Sequence, residues 1–270
     1  MLLLAFAFMQ GAGFAQAARY RVGDSVTNFT FVARREFTRP DGSLAPAGST
    51  VQLSDFAGRV VFLEWFAVWC PYCVAAAPQV RTDIVDWYAA RGGNPYGVPV
   101  LHVAVNQESA SFYQTRTDSF VTQQGFGLTV NDYDNTSTNK VRFMFQSTGQ
   151  PIFAVINGVT NSPSHQPWQL LVNHLGYGDT DFHQELANFR ALIDAVQAPV
   201  PAPELSAARR LGADFEFTLQ TQAGRSYRVQ GSTDLVDWTT IRTITGTNSP
   251  VIFRDTNAPP ERRFYRAVTP

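Results

Sequence analysis

The chain is 270 residues long with 44% hydrophobic and 16% charged residues, a globular mixture rather than a disordered one, and at roughly 150 residues per domain the expectation is two domains. Its 21 Lys+Arg against 22 Asp+Glu leave a formal net charge of -1, which argues against bulk electrostatic binding of nucleic acid. A total of 2 cysteines excludes both a disulfide-stapled scaffold and a zinc site built from several thiolates.

Met1 to Phe14 is apolar, and no charge precedes Arg19. The run is shorter than the ~20 residues that span a bilayer, and it ends in the small-x-small pattern Ala15-Gln16-Ala17. This reads as a signal peptide over residues 1–17, cut after Ala17, with no membrane span left in the mature chain. The alternative is a buried N-terminal helix. Export to the periplasm, the cell surface or the extracellular medium puts the cysteines in an oxidising compartment.

Val26 to Val32 alternates, with Phe29 and Phe31 on one face, and Pro40-Asp41-Gly42-Ser43 marks a turn. Val60 to Phe66 is almost continuously apolar and suits a strand covered on both faces. Pro71 to Ala90 reads as a helix with Val74, Ala77, Val80, Ile84, Val85 and Tyr88 apolar and a kink expected at Pro78. Then come a strand at Val98–Val105, a helix at Ser109–Gln124 closed by Gly125, and a short helix at Asn139–Phe145. Ile152–Ile156 and Trp168–Leu175 read as strands, and Asp181–Val196 as an amphipathic helix. This order is an α/β layer architecture. Ala198-Pro199-Val200-Pro201-Ala202-Pro203 is a stiff linker. Beyond it, Phe215–Leu219, Tyr227–Gln230, Trp238–Ile241 and Phe264–Val268 alternate with period two, as in a small all-β, sandwich-like module. The expected layout is therefore 18–197 for the α/β domain, 198–204 for the linker and 205–270 for the β module.

The chemistry-bearing motif is Trp69-Cys70-Pro71-Tyr72-Cys73, between a buried strand and a helix. Cysteines at i and i+3 on a first helical turn bring their sulfurs within reach of a disulfide. Free backbone N–H groups and the helix dipole favour a thiolate at Cys70, and thiols in such settings titrate at about 3.5–7.5. Pro71 fits the first helical position, where its missing N–H is not needed. Cys70 is then the exposed nucleophile and Cys73 the more buried resolving thiol. Half a zinc knuckle and a purely structural disulfide are the alternatives. The first lacks further cysteines, and the second closes a loop too short to constrain the unfolded chain much. Glu64 is a carboxylate inside an apolar strand six residues before Cys70. Burial is expected to raise its pKa toward neutrality, unless it reaches a solvent edge or a buried arginine. His102, His165, His174 and His183 are scattered and read as structural or surface residues, so no metal site is expected.

Residues 20–197 resemble thioredoxin-fold proteins of the exported TlpA/ResA-like group, which borders the redoxin family. The resemblance rests on Tyr20-Arg21-Val22-Gly23-Asp24, on Leu53-Ser54-Asp55-Phe56-Ala57-Gly58-Arg59-Val60-Val61, and on Glu64 to Cys73 with its Cys-Pro-Tyr-Cys core. It implies a central mixed sheet flanked by helices. It also implies an exported thiol–disulfide oxidoreductase whose one redox group is the Cys70–Cys73 pair, with no metal or organic cofactor. The implied partners are protein thiols or disulfides and a redox partner protein. Gly149-Gln150-Pro151-Ile152 takes the place of the family's cis-proline loop, so Pro151 joins the catalytic set, with Gln150 and Ile152 beside the substrate. Glu64 takes the place of the buried acid that exchanges a proton with the resolving cysteine. Trp69, Pro71 and Tyr72 border the nucleophile as a docking surface, with core packing the equal alternative for Trp69.

Residues 205–270 resemble a β module that ends many exported bacterial proteins, through Gly224 to Gln230, Ser232 to Leu235, Trp238, Phe253 to Asp255 and Arg263 to Arg266. Trp238 and Tyr265 are expected to fill its core. Two other functions compete. In one, the chain is a surface-binding or adhesion protein whose β module does the work. In the other it is a thiol peroxidase, against which stands Ala67 where peroxiredoxins carry a threonine three residues before the reactive cysteine.

Overall fold

Residues 19–39, 41–133, 141–146, 148–178, 181–199, 202–247, 249–256, 258 and 262–269 are described by the computed structural model. The expected signal peptide lies outside them, as do parts of the linker and of the expected helix at 139–145. The chain divides into two compact units, Met1–Pro199 and Val200–Pro270.

In the first unit, the alternating segment supplies β1 (Thr30–Ala33), with Phe29 and Phe31 buried together in the core. A small hairpin, β2 (Phe37–Thr38) and β3 (Leu44–Ala45), carries the turn that follows, and β4 (Thr50–Gln52) pairs back on β1. The apolar run becomes β5 (Val60–Phe66), buried at every position. Helix α1 (Pro71–Val80) follows, then a π-helical stretch at Arg81–Asp86 and the short α2 (Trp87–Ala89). The irregularity falls just after Pro78, which has no N–H to continue the ladder, while Thr82 Oγ1 donates to the Pro78 carbonyl at 3.0 Å. The buried positions of this helical run are Cys73, Ala76, Ala77, Val80, Ile84 and Tyr88; Val74 is exposed, against expectation, because it lies off that stripe.

Strand β6 (Val100–Asn106) is followed by a 3₁₀ turn and α3 (Gln114–Gln124), so the helix expected from Ser109 starts later. Gly125 closes it in the left-handed conformation, φ 62°. Strand β7 (Leu128–Asn131) was not expected: at 4 residues it is too short to show a pattern. In place of the short helix ending at Phe145 there is a single 3₁₀ turn at Val141–Met144. Strands β8 (Ile152–Asn157) and β9 (Leu170–Leu175) and helix α4 (Phe182–Asp194) complete the unit. Asp181 caps α4 by accepting from the Gln184 N–H, and Phe182, Leu186, Phe189 and Ile193 form its buried stripe.

The strand order β4-β1-β7-β6-β5-β8-β9 puts β5 inside the sheet, parallel to β6 and antiparallel to β8. Val61, Leu63 and Trp65 of β5 face one core; Val60, Phe62 and Phe66 face the clusters under the helices. A mixed sheet with helices against it, and a cysteine-bearing helix leaving the end of an interior strand, is the thioredoxin fold.

The second unit holds β10 (Leu205–Leu211), β11 (Asp214–Leu219), β12 (Ser226–Ser232), β13 (Thr239–Thr245), β14 (Val251–Asp255) and β15 (Phe264–Val268). They form two three-stranded sheets, β10-β11-β14 and β13-β12-β15. Phe217, Leu219 and Phe253 from one share an apolar cluster with Tyr227, Val229 and Ile244 from the other. Tyr265 packs on this cluster, but Trp238 does not belong to it. Trp238 precedes β13, sits beneath the Arg266 guanidinium at 4.2 Å from its ring centroid, and donates its Nε1–H to the Leu235 carbonyl.

Candidate active site

The site forms where β5 ends and α1 begins. Cys70 is the N-cap of α1 with extended backbone (φ -85°, ψ 115°), and Pro71 opens the helix. The Cys70 carbonyl accepts the Val74 N–H at 3.1 Å, the first bond of the ladder. Cys73, one turn on, points inward, and the two cysteines stand 3.2 Å apart as free thiols.

The expected exposed nucleophile is more covered than its role suggested. Cys70 is 5% exposed against 0% for Cys73, and its thiol lies 3.8 Å from the Gln150 carbonyl, which roofs it. The peptide bond between Gln150 and Pro151 is cis. Gly149 before it has φ 79°, and a Cβ there would press on the Leu175 side chain, so this position needs glycine. Ile152 must be corrected as a substrate contact. Its side chain is fully buried in the core, and its backbone is paired on both sides, with Trp65 and with Leu175. Trp69 and Tyr72 are exposed at 46% and 54%, so the rim of the dithiol is aromatic. Trp69 Nε1 donates to Glu108 Oε2 at 2.7 Å, which fixes the indole.

Glu64 is completely buried on the helix-facing side of β5, the face it shares with Phe62 and Phe66. Neither a solvent edge nor an arginine receives it. Its partner is His102 of β6, whose Nε2 is 2.9 Å from Glu64 Oε2. Burial pushes the Cys73 thiol far above its ordinary value, with Cys70 and the Glu64 charge adding to the rise, while a hydrogen bond to the Ala67 backbone opposes it.

Two more residues at the site escaped the sequence reading. Arg142 donates to the Gly149 carbonyl at 3.1 Å and to Gln107 Oε1, and so ties the proline loop to the end of β6. Burial pulls its guanidinium below the usual arginine value, while Asp132 and Cys73 pull it up. His102 had a readable signal, since β5 and β6 are both apolar runs interrupted by one ionisable residue. Among the described residues, no group of three or more His, Cys, Asp or Glu is placed to hold a metal ion, and no helix is long and apolar enough to cross a membrane.

Residues 21–125 match the family model described as Redoxin, a stretch that contains Glu64, Cys70, Cys73 and His102. No curated protein matches the chain. Among solved structures, it is similar to a Chlorobium tepidum protein assigned as a thiol:disulfide interchange protein DsbE, at 20% identity and TM-score 0.44, over 64% of this chain and 98% of that one. It is also similar to the thioredoxin domain of a thiol-disulfide oxidoreductase from Bacteroides vulgatus, at 14% identity and TM-score 0.43, over 63% of this chain and 98% of that one. The first unit thus has the thioredoxin fold, and residues 21–125 within it resemble the Redoxin family.

Proposed function

We propose that the protein is an exported oxidoreductase that exchanges disulfides with protein substrates through Cys70 and Cys73. The observation that carries this is the asymmetry of the pair. Two free thiols stand 3.2 Å apart at the first turn of α1, and the inner one is held protonated by burial.

The asymmetry assigns the roles. The thiolate of Cys70, at the helix N-terminus, attacks a substrate disulfide; a Cys70–substrate disulfide forms and one substrate sulfur leaves as a thiolate. Cys73 then loses its proton and attacks Cys70, which forms the Cys70–Cys73 disulfide and expels the second substrate thiol. Run backwards, the same steps oxidise a substrate dithiol. Glu64 is the buried carboxylate on the Cys73 side of β5 and takes the proton that Cys73 gives up. The exposed Trp69 and Tyr72, and Gln150 above the thiol, give a polypeptide an apolar rim and a backbone carbonyl to lie against. A redox partner protein resets the pair, and the chemistry asks for no metal or organic cofactor. The test is trapping: with Cys73→Ser a disulfide-containing peptide stays bound to Cys70, and with Cys70→Ser no adduct forms. Adducts forming equally on both variants would overturn the assignment.

A further inference from the structure

Glu64 and His102 form a two-member ionisable cluster inside the first unit, each with one polar atom left over. Oε2 and Nε2 bond to each other at 2.9 Å, while Glu64 Oε1 and His102 Nδ1 are buried with no hydrogen-bond partner. Buried polar atoms are usually satisfied, and leaving one unpaired costs about 1–3 kcal/mol. Such an arrangement persists where proton transfer needs the free positions. His102 is also one of the residues that line a surface cavity of about 310 Å³, with Tyr88, Gly92, Pro99 and Gly127. Glu64 is completely buried, so it needs such an outlet to exchange its proton with solvent.

We propose that His102 is the outlet of the resolving cysteine's proton, linking Glu64 to the cavity beside α2. This rests on the dithiol reading above. Cys73 passes its proton to the Glu64 carboxylate as its sulfur attacks Cys70. The proton moves from Oε2 to Nε2 of His102, and the ring releases its other proton from Nδ1 to water in the cavity. The pair ends with the charge it began with and the ring in its other tautomer. When the disulfide is reduced the path runs backwards, Nδ1 taking a proton from the cavity, Nε2 returning one to Glu64 Oε2, and Glu64 handing one to Cys73. His102 touches no substrate and acts through Glu64, so it is a positioning residue.

Few other charged groups face the pair. Helix α1 contributes Cys73, with Arg142 acting on it electrostatically from beside the proline loop. Helix α2 contributes Tyr88, whose hydroxyl is committed to Asp194 at 2.9 Å. Arg81 is held by Asp86 and by the carbonyls of Gln124 and Gly125. Strand β8 places Phe153 opposite Glu64 in register, and Phe126 stacks 4.6 Å from the imidazole centroid.

The test separates the two thiol steps in a single-turnover reaction with a mixed-disulfide peptide, quenched and read by mass spectrometry across pH. His102→Gln keeps a donor toward Glu64 and removes the titrating ring; His102→Phe removes both. The relay predicts that His102→Gln folds and attacks through Cys70 at the wild-type rate. Its Cys73 step slows on the order of tenfold or more and loses the pH dependence of the wild type. A structural role predicts that Gln restores that step fully, and this result would overturn the proposal. If both variants fail to fold, ¹⁵N shifts of the His102 ring in the wild-type protein decide. They must change between the dithiol and disulfide forms, and identical titration in both sinks the relay. A wild-type protein that never forms the Cys70 adduct takes down the oxidoreductase reading as well, an outcome distinct from normal attack with unaltered resolution.

Discussion

Glu64 in the first unit and Asp255 in the second are both buried strand carboxylates, at 0% and 5% exposure, and they are partnered differently. Asp255 Oδ2 accepts from Arg263 at 3.0 Å and from the Tyr265 hydroxyl at 2.9 Å. Its charge is offset by the Arg263 guanidinium. Glu64 has one titratable partner and one empty oxygen. Both burials are costly, but Asp255 has an arginine to offset its charge and Glu64 has only a histidine. A buried carboxylate tied to arginine and tyrosine is architecture. One tied to a histidine, with an oxygen left over, is the arrangement the proposed proton relay uses.

The largest expected effect sharpens this difference. Cys70→Ser reduces disulfide exchange to the background of the reagent while leaving both units folded, measured by turnover of a disulfide substrate alongside circular dichroism. Next come the cores. Phe153→Ala in the first unit and Phe217→Ala in the second each remove a fully buried ring. Each costs about 3–5 kcal/mol by denaturant unfolding, and only the first drags the redox site down with it. Asp255→Ala leaves Arg263 without its charged acceptor and costs about 1.5–3 kcal/mol in the second unit, with exchange by the dithiol unchanged. Equal loss of exchange would break the separation between the two carboxylates.

Alkaline pH distinguishes the units more gently. Burial, with Asp255 nearby, pushes the Tyr265 hydroxyl from 10.0 up to about 12. The folded second unit holds that proton more tightly than the unfolded chain does. Its contribution is therefore complete below pH 10 and is lost as pH rises from 10 to 12. Cys73 has the same sign, with stability lost above the ordinary thiol range. Unfolding midpoints followed against pH should fall on the alkaline side in both units. The smallest effect is at the rim. Trp69→Ala removes an exposed indole and its bond to Glu108, costs under about 1 kcal/mol of stability, and raises KM for a protein disulfide with little change toward a small disulfide reagent.

The sequence made the dithiol legible because its spacing, the strand before it and Pro71 after it are all local. Glu64 was legible as an odd residue in an apolar run. His102 was an odd residue of the same kind, but its pairing with Glu64 was not legible, because setting His102 opposite Phe62 depends on the parallel register of β5 and β6, which no local pattern states. Arg142 and Glu108 were missed for the same reason: they reach the site from separate loops. The cover on Cys70 depends on a carbonyl 80 residues away. Strand β7 was too short to read, and β10 lacked alternation, its middle residues being exposed. Ile152 was placed at the substrate by its neighbour Pro151, but strand alternation turns its side chain into the core.

The central claim is that Cys70 and Cys73 form a reversible redox couple, and its most direct test is equilibration of the protein in defined glutathione or dithiothreitol buffers, with alkylation and mass spectrometry reporting the oxidised fraction. The account predicts one two-electron transition in which both thiols disappear together into an intramolecular disulfide and return on reduction. Thiols that oxidise separately, or a pair that never closes at any buffer poise, would contradict it.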